Sequence, residues 1–459
     1  MKRALPVILA VLLAVSGCSG GKQEQQGFAG DIKIASEKIV KEFSGTVNIY
    51  NRIGDTLMLT AENGDSFENY DVDIKTGQVA TAASNGADEQ YVYFEQVADR
   101  GALYVEGEGT QNVLKFKDKG GNEKVIASNV GFADGINISI SPKGSKIAYT
   151  ALKEGSGEYS LFMYDLDSSK NYTLTDKVDE GFITSFGYLV NWSADDKYVI
   201  IQDKYIYDTV SGTKKGELAA SYTKWSPSGS KIVFILEEDP GKWLNANDST
   251  VYPGKKICIY DMKTGDYKDL FTIHEDEFVF GDISWSRDEK SLAFAGIKIK
   301  DMTSPEWYTM LVYNSVYIVD TESGKANRIE TKVDASDGSM TELSNLMFTG
   351  SGNLLSYTVG NFEKSNLYVY NIKTGTSKSF ENVGYLHWID NQSYVIPAGD
   401  NGFYFCLGSS IMKLDEGLNQ TTKYTSKSSL DDFYLSGDGT SIIVLETEGN
   451  GSIIRYLGK

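Results

Sequence analysis

The chain has 459 residues, 41% hydrophobic, 23% charged and 12% aromatic, with 46 Gly, 29 Tyr and only 7 Pro. That balance excludes disordered and collagen-like classes. Asp and Glu number 63 against 44 Lys and Arg, and the net charge of −19 repels nucleic-acid phosphates and anionic headgroups, so neither is expected as a general partner.

Lys2 and Arg3 precede an apolar run from Ala4 to Val15, the length of a signal-peptide core and too short to cross a bilayer. Small residues then lead to a cysteine in Val15-Ser16-Gly17-Cys18. This stretch resembles the lipobox of bacterial lipoproteins. The resemblance implies a signal peptide at 1–17, cleavage before Cys18 and a lipid on its sulfur, leaving a mature charge of −21. A secretory signal carrying a cysteine by chance is the competing reading. Gly, Gln and Ser dominate the next dozen residues, so 18–30 reads as the lipidated cysteine and a flexible tether. Later apolar runs fall short of a membrane span. The body, 31–459, is therefore expected outside the cytoplasm at the cell surface or in the periplasm, touching membrane through the lipid only. Ser19 after the cysteine favours the outer membrane where a cell has two.

From about Gly45 the chain alternates β-branched and aromatic runs with Gly, Asp, Asn and Ser turns, without a sustained 3.6-residue apolar period. Two patterns recur. One is a turn followed by a strand, Ser141-Pro142-Lys143-Gly144-Ser145-Lys146-Ile147-Ala148-Tyr149, repeated at 226–234 and more loosely at 193–200, 286–294, 349–357 and 436–444. The other is a strand ending in Asp with a turn closed by Gly, as in Ile259-Tyr260-Asp261-Met262-Lys263-Thr264-Gly265. Its anchors, Asp71, Asp118, Asp165, Asp208, Asp261, Asp320, Asn371 and Asp415, lie 47, 47, 43, 53, 59, 51 and 44 residues apart. Such periods mark propeller blades of four short strands. An all-β propeller is predicted, most simply of eight blades, with seven the runner-up. A ninth partial unit, 433–456, can pair with N-terminal strands near 32–49 to close the ring.

The paired motifs resemble the TolB-like, WD-like propeller repeat, also found in the propellers of the dipeptidyl peptidase IV and prolyl oligopeptidase families. The third repeat carries the resemblance best, with Ser141-Pro142-Lys143-Gly144, Tyr164-Asp165 and Leu174-Thr175, although Lys143 and Ser228 stand where the pattern has Asp. The resemblance implies a fold and carries no activity.

Those peptidase families make hydrolysis worth testing. The repeats fill almost everything after the tether, and the one G-x-S-x-G match, Gly17-Cys18-Ser19-Gly20-Gly21, lies inside the lipobox. Only His274 and His387 offer imidazole, each at a repeat strand, and no Cys or His pair has zinc-ligand spacing. Acidic turns such as Asp71-Val72-Asp73 and Asp334-Ala335-Ser336-Asp337-Gly338 carry oxygens of the kind calcium takes. Neither follows the EF-hand spacing, so no cofactor is expected. Three Cys exclude a disulfide framework, and Cys258 and Cys406, in apolar strands about three blades apart, read as buried free thiols.

Two connections swell, at 236–256 with Trp243 and Tyr252, and at 296–315 with Trp307, Tyr308 and Tyr313. In adjacent blades such second-to-third-strand loops lie side by side on one face. Aromatic residues in long loops on a rigid scaffold are recognition material, although they can also pack on each other as a lid. The leading expectation is a monomeric, non-catalytic binding module for an envelope protein or glycan. The alternative is an envelope hydrolase or lyase acting on glycan or peptide through acidic residues at the channel mouth.

Overall fold

The second strand of each repeat is apolar on both faces, and this dictates the architecture. In Ile442–Glu448, Ile442 and Val444 pack with Tyr404, Ile411 and Phe433, while Ile443 and Leu445 pack with Leu57, Leu59 and Val72. A small sheet with two apolar faces is stable only between two others. The computed structural model describes residues 32–458 except 54, 64–65, 82–90, 98–99, 108–111, 132–136, 154–156, 179–189, 238–243, 247–248, 252–253, 275, 301–309, 332–341, 361–364, 385–394 and 399–400.

Among the described residues the chain forms nine four-stranded antiparallel sheets and one two-stranded hairpin. The protein is an all-β propeller with nine blades, not the eight or seven read from the anchors. Blades 1 to 8 span 47–81, 91–128, 138–175, 190–217, 220–272, 278–330, 342–380 and 396–425. Blade 9 takes three strands from 429–458 and its fourth from Ser36–Phe43 at the other end of the sequence. Ser36 pairs with Gly458 and Phe43 with Ser452. Because that fourth strand is supplied from elsewhere, blade 9 has no third-to-fourth-strand turn, and no anchor marks it. Ile32, just before this strand, is 1% exposed and donates its N–H to Tyr404 Oη at 3.1 Å. Eight apolar clusters each span two consecutive blades, from blades 2 and 3 round to blades 9 and 1. Fourth strands such as Tyr267–Thr272 and Ala326–Glu330 are largely exposed, as the rim of such a ring must be.

Both sequence patterns are turn chemistry at one end of the blades. In the first, the Ser or Thr hydroxyl accepts the backbone N–H five residues on: Ser141 from Lys146 at 3.0 Å, Ser226 from Lys231 at 3.1 Å, Thr349 from Leu354 at 3.1 Å. In the second, the side-chain oxygen of the Asp or Asn accepts N–H groups two and three residues on, as Asp261 does from Lys263 and Thr264. In blade 1 the residue in that role is Asp73 rather than Asp71, since Thr76 N–H donates to Asp73 Oδ1 and Gly77 N–H to Asp73 O. First-to-second and third-to-fourth turns share this end of the ring, the turn face. Second-to-third connections and the passages between blades share the other, the hairpin face.

On the turn face, carboxylates bridge neighbouring blades at several boundaries. Asp196 of blade 4 accepts from Ser141 Oγ, Lys143 N and Ser145 Oγ of blade 3. Glu289 of blade 6 accepts from Ser228 N of blade 5, Glu416 of blade 8 from Ser351 and Asn353 of blade 7, and Asp55 of blade 1 from Gly437 N of blade 9.

Candidate functional site

The two long connections are β-hairpins rising from blades 5 and 6. In blade 5 the connection contains the paired strands Leu244–Ala246 and Ser249–Val251. It returns through Gly254, whose carbonyl accepts the N–H of Val279 in the first strand of blade 6 at 2.8 Å. A side chain at Gly254 would place its Cβ 1.9 Å from Ile235 Cγ2, so only glycine admits this close approach. In blade 6 the second and third strands, Ser291–Lys300 and Met310–Asp320, run past the blade, pairing Ile297 with Tyr313 through to Lys300 with Met310. Val279 itself pairs with Gly296 at the base of that extension. The two hairpins therefore spring from adjoining points on one face.

Buried charge fixes the base of the blade 6 hairpin. Glu277, in the passage from blade 5 to blade 6, is fully buried. Its carboxylate accepts from Ser315 Oγ at 3.1 Å, from Tyr317 Oη, and from Arg328 Nη2 at 2.7 Å. Burial and the neighbouring carboxylate push the Tyr317 phenol upward, and the Arg328 guanidinium is raised by the hydrogen bonds it donates to Glu277. Gly296 faces this cluster, and a Cβ there would lie 2.6 Å from Ser315 Oγ. A parallel arrangement joins blades 8 and 9, where the fully buried Glu446 accepts from Tyr424 Oη at 2.7 Å and Arg455 Nη2 at 2.9 Å.

Two further carboxyls are withdrawn from solvent, Asp432 buried and Asp203 half-buried. Asp203 accepts Thr223 N–H at 2.9 Å, and burial pushes its carboxyl up to about 6. Asp432 accepts from Tyr434 Oη and Phe433 N–H, both at 2.8 Å, and burial pushes it up to about 7. No sequence motif pointed to Glu277, Asp203 or Asp432. The only trace was an acid set against apolar neighbours, as in Glu277-Phe278-Val279.

Of the residues expected on the binding face, Tyr313 lies in the blade 6 extension opposite Ile297, while Trp243, Tyr252, Trp307 and Tyr308 lie outside the described residues, as does Cys18. His274 is exposed in the passage between blades 5 and 6, and His387 lies outside the described residues. Cys258 and Cys406 are buried free thiols in blades 5 and 8. Of the two acidic turns, 334–338 lies outside the described residues, and Asp73 spends its carboxylate on its own turn. Among the described residues no group of three or more His, Cys, Asp or Glu is placed to hold a metal ion.

The described geometry defines a β-propeller carrying paired hairpins over two adjacent blades. No family model matches the chain, and no curated protein matches its sequence. Solved structures do. A eukaryotic initiation factor matches at 12% identity and a TM-score of 0.52, over 90% of this chain and 93% of that one. TolB from Acinetobacter baumannii matches at 15% identity, covering 73% and 78% of the two chains at a TM-score of 0.28. Porphyromonas gingivalis dipeptidyl peptidase 4 matches at 13%, covering 77% of this chain and 50% of that one at 0.39. At these identities the shared feature is the fold alone.

Proposed function

We propose that the protein is a lipid-anchored extracytoplasmic propeller that acts as a non-catalytic binding module, holding an envelope protein or glycan on its hairpin face. One observation carries this reading: prolonged second-to-third-strand connections rise from adjacent blades 5 and 6, and the bond from Val279 to Gly254 ties the blade 5 connection to the first strand of blade 6. Long connections rich in aromatic residues on a rigid scaffold are recognition material. The buried Glu277 cluster supports the same use, because it stiffens the hairpin base. The anchor rests on the order of Lys2, Arg3, the apolar run and Cys18.

Two experiments test it. Metabolic labelling with a fatty acid should mark the wild type and leave Cys18→Ser unlabelled; a labelled Cys18→Ser removes the anchor assignment. Affinity capture from envelope extracts should lose its partner when Trp243→Ala and Trp307→Ala are combined. Unchanged capture removes the hairpins from the binding face.

A further inference from the structure

The register of the closing strand fixes which side of the ring the anchor leaves from. In blade 9 the third strand, Gly451–Gly458, ends on the turn face, and Ser36–Phe43 begins there, since Ser36 pairs with Gly458 and Ala35 N–H donates to Gly458 O at 2.8 Å. Ile32 is pinned between blades 8 and 9 immediately upstream. The chain towards Cys18 therefore departs from the end of the blades opposite the two hairpins.

We propose that the membrane lies under the turn face, so that the hairpin face is presented to a partner approaching from the side away from the anchoring bilayer. This rests on the lipidation of Cys18 proposed above. The lengths carry the inference. The eight residues of Ser36–Phe43 make the ring roughly 26 Å deep at the usual strand rise. The four residues of the blade 6 extension, Ile297 to Lys300, add roughly 13 Å. The 13 residues between Cys18 and Ile32 reach at most about 45 Å when fully extended. If they form the tether expected from their Gly, Gln and Ser content, they span on average about 20 Å. Laying the hairpins on the same membrane would stretch the tether almost straight around the rim, against its chain entropy. The turn face, by contrast, is reached by an unstretched tether. Its bridging acids, Asp55, Asp196, Glu289 and Glu416, are already engaged with neighbouring blades, which leaves them unavailable to an outside ligand. A partner embedded in the anchoring bilayer is thereby disfavoured against one free in the space beyond it.

The test uses the full acylated chain reconstituted into phosphatidylethanolamine–phosphatidylglycerol vesicles that carry an energy-transfer acceptor on their headgroups. A donor dye is placed on Val210→Cys, a turn-face position 69% exposed in the wild type, or on Thr250→Cys in the blade 5 hairpin. The native Cys258 and Cys406 are buried and stay unlabelled. Transfer from position 210 is expected to exceed that from position 250 at least about twofold, given a tether of this coil length. Equal or reversed transfer in protein that floats with the vesicles overturns the orientation and leaves the anchor standing. Wild type that fails to float, behaving like Cys18→Ser, overturns anchor and orientation together.

Discussion

Asp196 holds a left-handed backbone conformation, φ 62°, and its carboxylate receives the Ser141 hydroxyl of the preceding blade at 2.6 Å. Gly144, Gly229, Gly352 and Gly439 occupy the same turn position in four other blades. Only Asp196 and Glu289 place a side chain there, and each uses it to bridge blades. A conformation unfavourable to a side chain is thus retained for the bond it permits.

Replacing Asp196 separates these two effects. Asp196→Ala keeps the strained backbone and loses the bridge, and is expected to cost about 2–3 kcal/mol in urea unfolding. Asp196→Gly loses the bridge but relieves the backbone, and should be about 1 kcal/mol more stable than the alanine variant. Equal stability of the two would remove the strain from the account.

Ring closure depends on residues far apart in sequence. Ile32→Ala is expected to lower stability by about 2–4 kcal/mol, the usual cost of emptying a buried aliphatic site. Removing 32–43 leaves Gly451–Gly458 as an open strand edge, and the shortened protein should associate in size-exclusion chromatography. A monomeric shortened protein of unchanged stability would show that blade 9 needs no fourth strand.

The Glu277–Arg328 pair calls for a double-mutant cycle. Glu277→Ala leaves Arg328 beside an empty polar pocket and should cost about 3 kcal/mol. Adding Arg328→Ala should cost less than the sum of the single changes, because the two side chains act as a unit. Strict additivity would mean that the pair is uncoupled.

Stability should also depend on pH through Asp203 and Asp432. Their carboxyls lie at about 6 and about 7 in the fold, above the ordinary carboxylate range, so the folded chain binds these protons more tightly than the unfolded chain does. Their contribution is fully present below about pH 4 and is lost as pH rises through 6 and 7. Asp432→Asn keeps a neutral group in place, so its urea midpoint should gain on the wild type between about pH 4 and about pH 7 and level off above that. A constant difference between the two curves would contradict the assignment of Asp432.

Much of the fold was legible in the sequence because the information is local. Each turn is closed within six residues, by Ser141 with Lys146 or Asp261 with Gly265, and the buried strands between them are continuous apolar runs. The blade count was misjudged where the information is not local. Ser36 and Gly458 pair across almost the whole chain, with no turn between them to leave a mark. In blade 1, Asp71 and Asp73 are both acids ahead of the same glycine, and only the hydrogen bonds of the turn distinguish them. The hairpins showed as excess length, but their pairing did not. Glu277 was silent because Arg328, its partner, sits 51 residues away on another strand.

The central proposal is that the hairpin face holds a partner. A photo-crosslinking amino acid at position 313 or 250, compared with one at 143 or 210 on the turn face, tests this in intact cells. A discrete crosslinked species from the hairpin positions, absent from the turn positions and lost in Trp243→Ala plus Trp307→Ala, is the predicted result. The same species from positions 143 and 210 alone would contradict it.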